Sequence, residues 1–204
     1  IKSPDRNDPL EILDDVSEQT FMPITFGGRI RSIRDINERL RRGADKISIN
    51  TIAFDDKKFI NAAATQFGSQ CIVVSIDVKK IENKYIVFVD GGKRSTNLDV
   101  VSWAKEVEML GAGEILLNSI DRDGSKLGFD IDLIKQVVDN VNIPVIALGG
   151  AGEWSDFGEV FKNTGADAVA AGNIFHHIDQ SVYLVRSWLY KNGYNVRKPI
   201  TLKM

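Results

Sequence analysis

The sequence predicts an α/β chain of the (β/α)8, or TIM, barrel class, built from two half-barrel repeats and lacking about the first two strands. Three observations predict it. The first is an internal repeat: the patterns of residues 23–30 (Pro-Ile-Thr-Phe-Gly-Gly-Arg-Ile) and 43–51 recur in residues 144–152 and 165–173. Gly27 and Gly149, Gly43 and Gly165, and Asp45 and Asp167 are each 122 residues apart, and only the prolines slip by one. The second is the shape of each copy, an apolar strand ending in Gly-Gly, a helix, then Gly-Ala-Asp and a second apolar strand ending on Asn-Thr or Gly-Asn. The third is the period, which at four strand–helix units per copy allows about 30 residues per unit, the usual size in a parallel architecture. Two halves of four make eight strands, which fits a closed barrel better than an open doubly wound sheet.

Taken in order, residues 8–19 open with Asp8 as a cap and Pro9 at the first helical position, and Leu10, Leu13 and Val16 mark the apolar face. Ser32 caps the next helix, with Ile33, Ile36 and Leu40 inward and Gly43 as its stop. A third helix is expected over 55–68, through Phe59, Ile60, Ala63 and Phe67. Residues 71–77 form a near-continuous apolar run, as in a strand covered on both faces, and the run ends on Asp77. Residues 84–92 alternate in character and close on Gly-Gly, which predicts a β-ribbon inserted after that strand. Trp103, Val107 and Leu110 line a helix that Gly111 ends; a strand over 114–120 and a loop over 121–130 follow. Leu133, Ile134, Val137, Val138 and Val141 then make a helix, 144–148 a strand, Phe157, Val160 and Phe161 a helix, and 168–171 a strand. A last helix from Ser181 to about Asn192 is expected to bury Val182, Val185, Trp188 and Leu189.

The repeat places the counterpart of the strand opening at Cys71 about fifty residues before Ile1, so two strands and a helix are expected to precede this sequence. With 204 residues, 43% apolar content and no Pro/Gly/Ser-rich linker, residues 1–204 read as one domain, an N-terminally incomplete barrel. The 26 basic and 28 acidic residues are interspersed, so no nucleic-acid or membrane partner is expected. No apolar run reaches the roughly 18 residues of a membrane span and no signal pattern opens the chain, which predicts a cytoplasmic protein. The single Cys71 reads as a buried structural thiol.

In such a barrel the chemistry sits at the carboxyl ends of the strands. Those ends carry Gly27-Gly28-Arg29, Asn50-Thr51, Asp77, Asn118 with Asp121 and Asp123, Gly149-Gly150 and Gly172-Asn173. Gly-Gly at a strand end lets the backbone approach an anion, with free N–H groups at the following helix N-terminus; two matched copies predict two phosphate sites, the alternative being plain turn glycines. A substrate with a phosphate at each end fits that arrangement. Asp77, at the mouth end of an apolar strand, is a candidate acid/base group, against a merely solvated strand-end carboxylate. Asp121 and Asp123 lack further ligands at metal spacing, so no metal is expected; Asp123 suits substrate hydroxyls, and Asp121 with Arg122 suits fixing the loop. His176 and His177 read as surface or capping residues. Lys46 and Glu114 open their strands at the opposite end, where a rim salt bridge is the plain reading.

Residues 43–51, 67–77 (Phe-Gly-Ser-Gln-Cys-Ile-Val-Val-Ser-Ile-Asp), 111–124 (with Ser-Ile-Asp-Arg-Asp-Gly) and 149–152 closely resemble the cyclase subunit of imidazole glycerol phosphate synthase, the HisF family. The resemblance covers nearly the whole chain. It implies a lyase of histidine biosynthesis, needing no cofactor, which works as a heterodimer with a HisH-type glutaminase subunit. Ammonia from that partner enters the barrel bottom; at the top a bis-phosphorylated ribulosyl aminoimidazole carboxamide becomes imidazole glycerol phosphate and aminoimidazole carboxamide ribotide. By this resemblance Asp77 is the general acid, the general base being an Asp on a strand before Ile1. Asn50, Thr51, Asp123, Gly150, Gly172 and Asn173 map to substrate and phosphate contacts, beside Gly28, Arg29, Asn118 and Gly149. Lys46 and Glu114 match the charged ammonia gate, and Asp45 lies on the glutaminase-docking face.

Departures from the family pattern gather where substrate would lie. Arg29 replaces a third Gly, Gly91 a Ser, Asn118 a Thr, Leu148 a Ser, and Gly172-Asn173 an Ala-Ser. Gate and acid kept with altered substrate contacts resembles the paralogous branch that supplies ammonia for amidating a surface, lipopolysaccharide-type sugar. A non-catalytic scaffold that activates a glutaminase is the remaining expectation.

Overall fold

The structure, a computed structural model, describes residues 8–176 and 182–199. Its strands are β1 (Thr25–Gly27), β2 (Lys46–Ile49), β3 (Ile72–Ile81), β4 (Lys84–Val89), β5 (Arg94–Asp99), β6 (Glu114–Ser119), β7 (Val145–Leu148) and β8 (Ala168–Ala170). Its principal helices are α1 (Pro9–Gln19), α2 (Ile33–Arg41), α3 (Thr51–Asp55), α4 (Lys57–Phe67), α5 (Val100–Met109), α6 (Ile131–Val138), α7 (Trp154–Asn163) and α8 (Val182–Lys191). Strands β1, β2, β3, β6, β7 and β8 pair in that order, all parallel, while β4 and β5 hang from β3 as an antiparallel ribbon. Sequential parallel pairing with a helix between neighbours is the barrel pattern that the repeat predicts, and the sheet curls accordingly.

The period-two alternation of the strands sorts their residues. Ile47, Ile49, Val74, Ile76, Ile115, Leu117, Val145 and Ala147 are buried against Ile36, Ile60, Trp103, Leu133 and Val160 of the helices, and there the core lies. The alternate residues Lys46, Ser48, Asn50, Ser75, Asp77, Glu114, Leu116, Asn118 and Leu148 are half-buried on the concave face. Each fully buried Ile or Leu stabilises the fold by about 1.5–3 kcal/mol, so the helix-facing layer carries the stability and leaves the concave face free for polar residues.

Helix starts follow local chemistry. Asp8 accepts the Leu10 N–H, and Asp56, Asp99 and Asp130 cap α4, α5 and α6 in the same way. Ser32 with Asp35 closes a capping box on α2, and Glu153 with Asp156 closes one on α7.

Several expectations need correction. The helix expected over 55–68 is α4, started by the Asp56 side chain and ended at Gly68, but the short helix α3 that precedes it is not foreseen. Cys71 is half-buried in a short 3-10 turn rather than buried at a strand start, since the strand begins at Ile72. Strand β3 runs on past Asp77 to Ile81, because the ribbon needs a partner; Glu82 and Asn83, both at positive φ, make the two-residue turn into β4. The second ribbon strand, β5, is unforeseen: its polar Arg-Ser-Thr-Asn-Leu-Asp run shows no apolar alternation. Val16 and Val182 are 44% and 56% exposed, not inward. His177 and Ser181 lie outside the described residues.

Candidate active site

A cleft of about 800 Å3 opens at the carboxyl ends of β1, β2 and β3. Gly27, Gly28, Arg29, Arg31, Asn50, Thr51, Asp55, Asp77, Asp90 and Gly91 line it, with Ser48 and Ser75 deeper in. At Gly28 φ is +99°, and a side chain added there would meet open space, so the glycine serves the backbone turn and leaves room above it. Arg29 follows at φ +55°, a left-handed conformation that a non-glycine residue adopts at a cost of about 1–2 kcal/mol.

Asp77 is the centre of the cleft's polar chemistry. Asn50 Nδ2 donates to one of its carboxylate oxygens and Asn118 Nδ2 to the other, each at 3.0 Å. Asn118 stands beside Asp77 in the β3–β6 register, and Asn50 reaches in from the β2 side. Both asparagine Oδ1 atoms are buried without a partner.

The two Gly-Gly elements differ in what covers them. Above Gly28 there is space, whereas Gly149 lies against Ser119 O and Asn118 Oδ1, and Gly150 lies directly under the Gly128 carbonyl. The loop after β6 therefore packs onto the second copy, with Gly128 N donating to Gly150 O at 2.9 Å. Gly172 and Asn173 are exposed at the end of β8 and do not line the cleft. The expected free N–H groups at the helix starts are occupied in both copies. Arg31 and Ser32 N–H donate to Asp35 Oδ2 at 2.9 and 2.8 Å, and Gly152 and Glu153 N–H donate to Asp156 Oδ2 at 2.7 and 2.8 Å. The bond from the Arg31 N–H first, then those from Ser32, hold the Asp35 carboxyl below its usual range. An anion over the first copy would therefore meet the Gly28–Arg29 backbone and the Arg29 and Arg31 guanidinium groups, not the dipole end of α2.

At the opposite end of the sheet Lys46 Nζ pairs with the Glu114 carboxylate across β3. Lys46, Ser48 and Asn50 share the concave face of β2, as Val73, Ser75 and Asp77 do on β3, so polar groups lead from the ion pair to the cleft over about 13 Å. Asp45, next to Lys46 in sequence, accepts the Ile24 N–H at 2.7 Å, and Phe21 and Met22, just before β1, are exposed.

Asp121 accepts the Lys80 N–H at 2.8 Å and Arg122 donates to the Leu127 carbonyl at 3.0 Å, so both hold loops. Asp123 is exposed. His176 is exposed at the end of a short 3-10 turn. Sequence reasoning missed Ser48 and Ser75, which counting back two from Asn50 and Asp77 would have found. It also missed Arg94, which bridges Asp55 and Asp90 at 2.7 Å each and sets the ribbon turn over the cleft. Thr51 Oγ1 accepts the Asp90 N–H at 3.0 Å, and Tyr85 on the ribbon donates to Asp130 at 2.8 Å. Burial first, then that carboxylate, pushes the Tyr85 hydroxyl upward.

Parallel barrels work at the carboxyl ends of their strands, and this one carries its hydrogen-bonded carboxylate there, in the cleft. Fold and site together define a barrel-type enzyme. The chain belongs to the histidine biosynthesis protein family, which it matches over residues 3–180. It is 47% identical over 190 residues to imidazole glycerol phosphate synthase subunit HisF of Clostridium botulinum (strain Langeland), covering 92% of this chain and 75% of that protein. The same subunit of Saccharolobus solfataricus is 48% identical over 186 residues, 91% of this chain and 74% of the relative; that of Sulfurisphaera tokodaii is 49% identical over 188 residues, 92% and 75%. Among the described residues no helix is long and apolar enough to cross a membrane.

Proposed function

We propose that the chain is the ammonia-using cyclase subunit of an imidazole glycerol phosphate synthase in histidine biosynthesis. The observation that carries this reading is the position of Asp77, at a strand's carboxyl end in the cleft, with polar concave-face residues leading down to the Lys46–Glu114 pair. Ammonia enters past that pair, delivered by a glutaminase subunit docked on the face that bears Asp45, Phe21 and Met22. The bis-phosphorylated ribulosyl substrate lies across the mouth, with one phosphate over Gly28 and Arg29 and the other toward Gly172 and Asn173. Asn50 and Thr51 border the reacting part, Asp123 takes a substrate hydroxyl, and Asp77 moves the proton.

The test is ammonium-dependent turnover of the ribulosyl substrate by the full-length protein. Asp77→Asn keeps the side chain's shape and removes its proton transfer, so turnover should fall by about 10²- to 10⁴-fold with the melting temperature nearly unchanged. Unaltered turnover in Asp77→Asn overturns the assignment. Arg29 at φ +55° and Leu148 on the concave face favour a second reading, in which the barrel supplies ammonia for amidation of a surface sugar. A wild type that activates its glutaminase without turning over the ribulosyl substrate selects that reading.

A further inference from the structure

We propose that Asn118 is a positioning residue for Asp77, one half of a two-amide clamp that aims the carboxylate into the cleft. This rests on the cyclase reading above. A carboxylate on a strand turns about two side-chain torsions, and a single donor would draw it to one side. Asn50 and Asn118 come from the strands on either side of β3, and each donates to a different oxygen at 3.0 Å. Two opposed donors leave the carboxylate centred between the strands, with its remaining lone pairs free for a ligand. Asp77 lines the cleft and Asn118 does not, so Asn118 acts through Asp77 rather than on substrate.

Three further observations show that Asn118 is placed for its N–H2 group. Its other strand neighbour in register is Leu148, which offers its amide no side-chain partner. Its carbonyl oxygen is buried and has no protein partner, so the N–H2 group makes the side chain's hydrogen bond to the protein. Room for that oxygen depends on glycine at 149, where a Cβ would sit 3.0 Å from it. The clamp thus joins three positions whose residues look unrelated in the sequence.

The experiment compares Asn118→Leu, Asn118→Thr and wild type in the full-length protein, with saturating ammonium salt and the ribulosyl substrate. Asn118→Leu removes the donor and should lower kcat by about 10- to 100-fold, leaving KM within about threefold and lowering the melting temperature by only a few degrees, the loss of one hydrogen bond. Asn118→Thr keeps a donor and should recover most of the lost kcat. An unchanged kcat in Asn118→Leu, a rise in KM alone, or a loss of melting temperature that parallels the loss of kcat would each overturn the proposal. Side-chain amide NMR decides the geometry without any turnover. Asp77→Ala should shift the N–H2 signals of both Asn50 and Asn118, and an unmoved Asn118 signal overturns the clamp. A wild type inactive on the ribulosyl substrate overturns the cyclase reading instead, and the amide signals still judge the clamp.

Discussion

Asp45 and Asp167, 122 residues apart, make the same hydrogen bond: each carboxylate accepts the backbone N–H at the start of the preceding strand of its half, from Ile24 at 2.7 Å and from Val145 at 2.9 Å. The repeat is therefore one of contacts as well as letters. Gly-Ala-Asp brings the chain back under the sheet, and its Asp ties the returning strand to its neighbour. Asp45→Ala and Asp167→Ala should each lose about 1.5–3 kcal/mol, the range for a hydrogen bond to a charged group. Urea unfolding of the two variants checks it, and a loss confined to one of them would show that the halves are not built alike. A docking assay on Asp45→Ala must be corrected for this loss.

Lys46 and Glu114 pair at the end of the sheet away from the cleft, 31% and 18% exposed in their side chains. A partly desolvated pair contributes little dependable stability, which makes a gate a better account of it than a staple. Lys46→Ala should lower glutamine-dependent turnover of the complex more than turnover on ammonium salts. Equal losses in the two assays would leave only a structural pair.

Arg29 occupies a left-handed position that glycine adopts freely. Arg29→Gly should raise the melting temperature, by relief of about 1–2 kcal/mol of backbone strain, and should weaken binding of inorganic phosphate at the β1 end. Calorimetric titration and thermal melts read the two effects separately. Tighter phosphate binding in Arg29→Gly would mean that the guanidinium blocks the site.

The ribbon turn over the cleft is held by charge. The hydrogen bond from Arg94 is the main cause holding Asp90 below its ordinary carboxyl range, and Arg94 is raised in turn by Asp90 and then Asp55. A depressed carboxyl contributes above its unfolded value of 3.8 and loses that contribution as pH falls through the lower folded value. The Asp90 amide, bonded to Thr51, should therefore keep its NMR position from neutrality to about pH 4 and move below that. In Asp90→Asn the acid step should vanish and the turn should be looser at neutral pH. Because the pair is exposed, high salt should weaken it as well.

The sequence by itself determined the architecture. A repeat of 122 residues, caps such as Ser32 and Asp8, and apolar runs ending on glycine or a carboxylate are local or periodic signals, and they suffice for strand order and for the mouth of the barrel. They also sufficed to name Asp77, Asn50 and Lys46 as candidates, because strand ends can be read from where apolar runs stop. Only the tertiary structure decided how those residues are used. Asn118 and Asp77 are 41 residues apart and meet because β3 and β6 pair in one register, and a one-residue slip would turn Asn118 to the helices. The two Gly-Gly elements look alike as letters, yet one is open and the other covered, since a loop from β6 packs on the second copy alone. The occupied helix starts, the Arg94 bridge and the clamp on Asp77 are pairings across long separations, and such pairings are set by packing rather than by any pattern within one element.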